Sequence, residues 1–234
     1  LKTHITIYSY GGIPGPCLNT HIALTSYIVK NKRDCILRNV RDDALISRSR
    51  SRETAVAVES GADVWMQLDH DITFEPEEMF RMCELALEKN AAICGVYSCR
   101  NVPPRCALRP KSGNPIEEVG IDELVPVTYF ASGFVAIPVS RIMDTVEICQ
   151  TDAVPEEYRV KWIMDAKVEG FQSRFPSLWA PIVQSAGNGV YEYLSEDYSA
   201  SARMTLAGVD QYAWLKPVLS HWGDYPFKMP SKSK

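Results

Sequence analysis

Asp69 and Asp71 are the residues whose type and spacing most clearly suit chemistry: two carboxylates one residue apart, at the end of the run Val64-Trp-Met-Gln-Leu68. Both can reach one hard cation while His70 turns away as a spacer, and Mg2+ or Mn2+ held in this way keeps positions open for phosphate oxygens. A cation bridging a diphosphate would neutralise charge developing on a leaving nucleotide. The competing reading of Asp-x-Asp is a turn that leads into and caps the helix near Glu75. Ahead of the pair, Arg48, Arg50 and Arg52 alternate with Ser47, Ser49 and Ser51. Guanidinium forks suit anionic oxygens, and the same stretch also reads as a solvated basic face or a phosphorylatable Ser-Arg segment. Cys94, Cys99 and Cys106 have no companion His at zinc spacing and read as packed thiols. Trp162, Trp179, Trp214 and Trp222 are able to platform a sugar ring, although buried packing is the commoner use of Trp.

The frame that must position these residues is large enough for a substantial core: 234 residues, 46% of them apolar, which excludes a disordered or fibrous chain. With 25 Lys+Arg against 29 Asp+Glu, the net charge of −4 gives no general attraction to nucleic acid or to an anionic membrane surface. Seven Cys, an odd number without CxxC pairs, point to reduced thiols and a cytoplasmic setting. No apolar run approaches the roughly 18 residues of a membrane span, and the start lacks the regions of a signal peptide. Leu1 in place of Met, and the polar Pro-Ser-Lys-Ser-Lys end, are what a processed chain or a domain cut from a longer protein would have.

Strand and helix signals alternate through the first hundred residues. His4–Tyr10 is a strand that stops at Gly11-Gly12, Leu18–Val29 a helix, Cys35–Arg38 a strand, and Ser51–Ser60 a helix closed by Gly61. Val64–Leu68 is almost uninterruptedly apolar, as a buried strand should be. Glu75–Asn90 carries Pro76 near its start, Glu77 and Glu78 in the first turn, and a stripe of Met79, Met82, Cys83, Leu85, Ala86 and Leu87. Ala91–Tyr97 is a further strand. This order implies parallel pairing and an α/β sheet covered on both faces. From Ser98 to Asp122, Pro and Gly interrupt the pattern. Val125–Phe130 and Phe134–Ile137 then read as strands, Val139–Cys149 as a short helix, Ser195–Ala207 as a helix and Tyr212–Leu219 as a last strand. With no repeat or linker the chain reads as a single α/β domain, with an α/β first half over 1–100, a more irregular second half over 101–227 and a polar tail over 228–234.

The stretch from Gly61 to Met79, with its strand, Asp69-His-Asp71 and following helix, resembles the GT-A-fold nucleotide-sugar glycosyltransferases, within them the family-2-like set of bacteria and viruses. Three further pieces are similar in the same order: Ser132-Gly133-Phe134-Val-Ala-Ile137, Leu194-Ser-Glu196-Asp197, and Ser220-His221-Trp-Gly223. The resemblance implies a Rossmann-like GT-A domain with a mixed, mostly parallel central sheet flanked by helices. It also implies sugar transfer from a nucleotide-diphosphate donor to an acceptor hydroxyl on a glycan, lipid, protein or modified base.

By that resemblance Asp71, with Asp69 directly or through water, and His221 would hold Mn2+ or Mg2+ against the donor diphosphate. Asp197, preceded by Glu196, would be the general base of an inverting displacement; Ser195-Glu-Asp also reads as a helix start with acids favoured by the macrodipole. His221 has the alternative of a partly buried structural histidine. The donor nucleotide would lie over Tyr8, Ser9, Tyr10 and Gly11, with Arg50 at its diphosphate and Gly133 and Phe134 near its sugar. The acceptor-facing wall would come from Ser173–Tyr193. Two other readings remain at this level. A nucleotidyltransferase would want a basic residue in the loop after the first strand, where none occurs before Lys30; a non-catalytic sugar-binding module would tend to have lost one of Asp69, Asp71, Asp197 and His221.

Overall fold

The computed structural model describes residues 1–41, 43–99, 106, 108–111, 124–164, 174–223 and 226–227. Most of the Pro-rich stretch before Asp122 and all of the tail from 228 lie outside them. The chain opens as β1 (Lys2–Ser9), α1 (Gly15–Lys30), β2 (Asp34–Arg41), α2 (Ile46–Glu59), β3 (Val64–Asp69), a short β4 (Ile72–Thr73), α3 (Pro76–Lys89) and β5 (Ala92–Gly95). It continues as β6 (Arg109–Pro110), β7 (Leu124–Tyr129), β8 (Phe134–Pro138), α4 (Val139–Ile148), β9 (Trp162–Met164) and β10 (Arg174–Pro176). The last elements are β11 (Ile182–Gly187), β12 (Val190–Leu194), α5 (Glu196–Leu206), β13 (Gln211–Trp214), β14 (Ser220–Trp222) and β15 (Pro226–Phe227).

Eight strands form the central sheet in the order β2-β1-β3-β8-β5-β13-β7-β6. Six run in one sense; β7 and β8 oppose them, so the sheet is mixed and mostly parallel in strand direction. Period-two alternation splits the core into two layers. Ile5, Ile7, Met66, Leu68 and Phe134 face α1 and α3, whereas Tyr8, Trp65, Val135 and Ile137 face the α2, α4 and α5 side. Asp69 continues the parity of Trp65 and Gln67 and therefore ends β3 on the α2 side.

Helix α3 keeps the predicted limits because each end has a local cause: Pro76 is at its start, and Asn90 closes it in the left-handed region at φ 51°. Helix α2 begins at Ile46, five residues before the pattern suggested (51 − 46). Its inward residues include Ser49, Arg50, Ser51, Glu53 and Thr54, a polar buried face that apolar periodicity cannot reveal. The predicted strand Tyr212–Leu219 is corrected: β13 stops at Trp214 ahead of Pro217, and Ser220–Trp222 joins a separate three-stranded sheet, β15-β14-β4. Leu219 lies against Gly95, where an added Cβ would stand 2.5 Å from Leu219 Cδ1. Among the described residues no helix is long and apolar enough to cross a membrane.

Candidate active site

Beyond Asp69 the chain turns at His70-Asp71 before β4, and this turn decides where the two carboxylates go. Continued as a strand, Asp71 would share a face with Asp69. Instead His70 is tied back to β1, its backbone N–H 3.0 Å from Tyr8 O and its Nδ1 3.0 Å from the same carbonyl, which makes it a spacer. Strand β14 pairs with β4 with His221 opposite Ile72, and Trp222 N–H donates to Asp71 O at 2.7 Å. This register brings His221 Nε2 to 3.6 Å from Asp71 Oδ2, with the Asp71 side chain only 8% exposed. His221 Nδ1 lies 2.9 Å from Ser98 O. A carbonyl oxygen only accepts, so Nδ1 carries the proton, and in the neutral ring the Nε2 lone pair faces the carboxylate. A cation between these two acceptors, a proton on Nε2 or a metal ion, would be favoured by both.

Asp69 is held differently. Arg50, 2% exposed, donates from Nη2 to Asp69 Oδ1 at 2.8 Å and from Nη1 to Gln67 Oε1 at 3.1 Å and Ser132 O at 3.3 Å. Its guanidinium carbon stands 4.6 Å from the Tyr8 ring centre and 5.7 Å from that of Trp179. Burial pulls the Arg50 pKa down, but Asp69, then Tyr8, Glu196 and Tyr97, together more than restore it, so the cation is permanent. The remaining Asp69 oxygen meets the Ser132-Gly133 bend: Asp69 N–H donates to Gly133 O at 2.8 Å, and a Cβ on Gly133 would lie 2.7 Å from Asp69 Oδ2 and 2.6 Å from Tyr97 Oη. Only glycine permits this approach.

A cleft of about 270 Å³ opens beside the pair, lined among others by Tyr8, Ser9, Tyr10, Asp43, Asp69 and Asp71. Tyr10 is 68% exposed at its rim, and Gly11 takes φ 79° as the chain leaves β1. Ser9 Oγ donates to Asn39 Oδ1 at 2.7 Å. Arg50 is buried behind Asp69, and Phe134 is fully buried against Phe74, so neither lines the cleft. Arg48 and Arg52 both bind the Asp43 carboxylate, at 2.6 and 3.3 Å, which replaces the reading of a free basic face. Among the four singled-out tryptophans, Trp179 and Trp214 are buried and Trp162 is exposed.

The two acids of α5 enter from the other side. Asp197 Oδ1 accepts from the Ser195 hydroxyl and from Tyr198 N–H at 3.0 Å, so Ser195 serves Asp197 instead of capping the helix. Burial pushes the Glu196 carboxyl above its ordinary pKa, its Asp197 neighbour adds to this, and Arg50 works against it. The helix is clamped by Arg203, which donates to Tyr158 O, Leu178 O and Ala180 O at 2.9, 2.8 and 2.7 Å. Tyr97 joins the parts. Its Oη accepts from Gly133 N–H at 2.9 Å, its ring meets His221 edge-on at 5.4 Å, and burial, then Asp69 and Asp197, hold the phenol well above its ordinary pKa. Nothing in the residue pattern marks Tyr97 beyond its position at a strand end. Asp43 was signalled only as one more acid beside an Arg-rich stretch.

Asp71 and His221 have a donor set, one carboxylate oxygen and one imidazole nitrogen, that suits Mn2+ or Mg2+. Their 3.6 Å separation fits two ligands each roughly 2.1 Å from one ion. The ring's other nitrogen is already committed to Ser98, as metal-binding histidines require. Among the described residues no three His, Cys, Asp or Glu side chains converge on one point. The remaining positions would fall to donor oxygens and water.

The chain has a GT-A-like α/β fold. Among the solved structures similar to it are two that match over nearly all of this chain. A197 from STIV matches over 100% of this chain and 97% of its own at 14% identity and a TM-score of 0.56. GalNAc-T7, solved with UDP, GalNAc and Mn2+, matches over 94% of this chain at 9% identity and a TM-score of 0.52. This chain spans 44% of the GalNAc-T7 chain. The likeness is one of fold. No family model and no curated protein matches the chain in sequence.

Proposed function

We propose that the chain is a metal-dependent glycosyltransferase that moves a sugar from a nucleoside-diphosphate donor to an acceptor hydroxyl with inversion. The observation that carries this reading is the Asp71 carboxylate facing His221 Nε2 across 3.6 Å beside the cleft at the end of β3. A divalent cation bound between them would neutralise the charge that develops on the leaving diphosphate.

The chain's own residues do the rest. Tyr8, Ser9, Tyr10 and Gly11 seat the nucleotide, with the exposed Tyr10 offering a ring face and Gly11 a close backbone approach. Asp69, fixed by Arg50, turns its other oxygen toward the donor at Gly133 and does not share the cation directly. Asp197 takes the proton from the acceptor hydroxyl as that oxygen attacks the anomeric carbon from the face opposite the diphosphate.

The test is a panel of nucleotide sugars incubated with Mn2+, with release of nucleoside diphosphate as the readout. One donor is expected to hydrolyse slowly, and Asp71→Ala to abolish the release. Absence of hydrolysis together with absence of metal-dependent nucleotide binding by calorimetry would overturn the proposal. A retained anomeric configuration in the product would remove Asp197 as base.

A further inference from the structure

The β11–β12 hairpin is fastened tightly at its base and bare above it. Ile182 N–H donates to Ser199 Oγ at 3.0 Å, and the same hydroxyl donates to Leu194 O at 3.0 Å, so one α5 side chain locks both strands. The inner face carries buried Ile182 and Leu194, then Gln184, which accepts from the Tyr158 hydroxyl and donates to Glu192 at 2.9 Å. On the outer face Val183 stands opposite Tyr193 and Ser185 opposite Tyr191. That face has no charged residue, yet Tyr191 is 69% and Tyr193 66% exposed.

Its chemistry and size limit what it can bind. Tyrosine joins an apolar ring face to a hydroxyl, which matches a pyranose with its C–H face and its rim of hydroxyls. Two such rings on alternate strand residues stand roughly 7 Å apart. A face of two strands of six and five residues is by itself too small for the ~800 Å² per partner of a stable protein interface. An uncharged face gives an anionic acceptor no counter-charge. Its position also fits: β12 runs directly into Ser195, Glu196 and Asp197, and the four residues from Tyr193 to Asp197 span at most ~14 Å.

We infer that the outer face of the β11–β12 hairpin seats the acceptor, and that the acceptor is a neutral oligosaccharide. This rests on the glycosyl-transfer reading above, and it is tested without donor or metal so that the two can fail separately. Maltotriose, cellotriose, chitotriose and mannotriose are titrated calorimetrically into the full chain. At least one is expected to bind. The double variant Tyr191→Ala/Tyr193→Ala should lose at least tenfold in affinity with an unchanged Tm, whereas Tyr191→Phe/Tyr193→Phe should stay within about threefold, because the rings remain. Failure of all four trisaccharides to bind overturns the inference, as does binding that the alanine pair leaves intact. Self-association, or binding to phosphatidylcholine vesicles, that the alanine pair abolishes also overturns it, by giving this face a different occupant.

Discussion

Asp69 and Asp71 are one residue apart in sequence and belong to different environments. Asp69 ends a buried strand against Arg50, whose charge is spread over an aspartate, a glutamine, a carbonyl and two aromatic rings. Asp71 follows a turn and faces a histidine whose other nitrogen is already spoken for. The first carboxylate has its counter-charge built into the protein; the second is set against an imidazole across a separate strand pairing. Two identical side chains thus end up in different surroundings, and the turn at His70 separates them.

The largest expected effect tests the Asp71 side. Asp71→Asn should lower Mn2+-dependent donor turnover by on the order of 10²–10³-fold, the scale for losing one group that acts on developing charge. Asp69→Asn should shift the Mn2+ titration midpoint less than tenfold and act mainly on stability. Equal losses of metal affinity in the two variants would erase the distinction. Next in size, Arg50→Met should cost about 3 kcal/mol in urea denaturation, because it leaves Asp69 without its buried partner. A loss within experimental error would mean that solvent reaches Asp69 more freely than its contacts imply.

The smallest effect is a pH dependence on the Arg50 side. The Glu196 carboxyl is raised in the folded chain by burial and by Asp197, so between its unfolded pKa of about 4.3 and its folded value the native state binds more protons. Stability should therefore fall as pH rises through that window. Glu196→Gln should flatten the decline. Arg50→Met should extend it to higher pH, since the charge that opposes the shift is gone. Denaturation midpoints of the three chains across the window decide the matter, and a decline that Glu196→Gln leaves in place would assign it elsewhere.

Much of this arrangement could be read before the structure. The βα alternation, both limits of α3 and the buried strand before Asp69 follow from periodicity and local end signals. The carboxylate turn was legible because a strand so apolar rarely ends in two acids without cause. Three things were not. Helix α2 hides its start because its buried face is polar, serving the site instead of the core. The His221 register depends on β14 pairing with β4 across the chain, and Pro217 was too weak a signal to detach those residues from β13. The β11–β12 hairpin does carry a local mark: Gly187-Asn188-Gly189 all adopt positive φ, and Asn-Gly between alternating residues is a strong hairpin sequence.

The pairing of β14 with β4 also sets an order of events. Asp71 leaves the ribosome with the first third of the chain, but its histidine partner comes near the far end and reaches it only when three residues add to a two-residue strand. So short a clasp cannot form early, because a long loop must close before its few hydrogen bonds are gained. The cleft beside Asp69 can therefore be in place before Asp71 meets His221, and that meeting reports that the rest of the fold has already assembled around it.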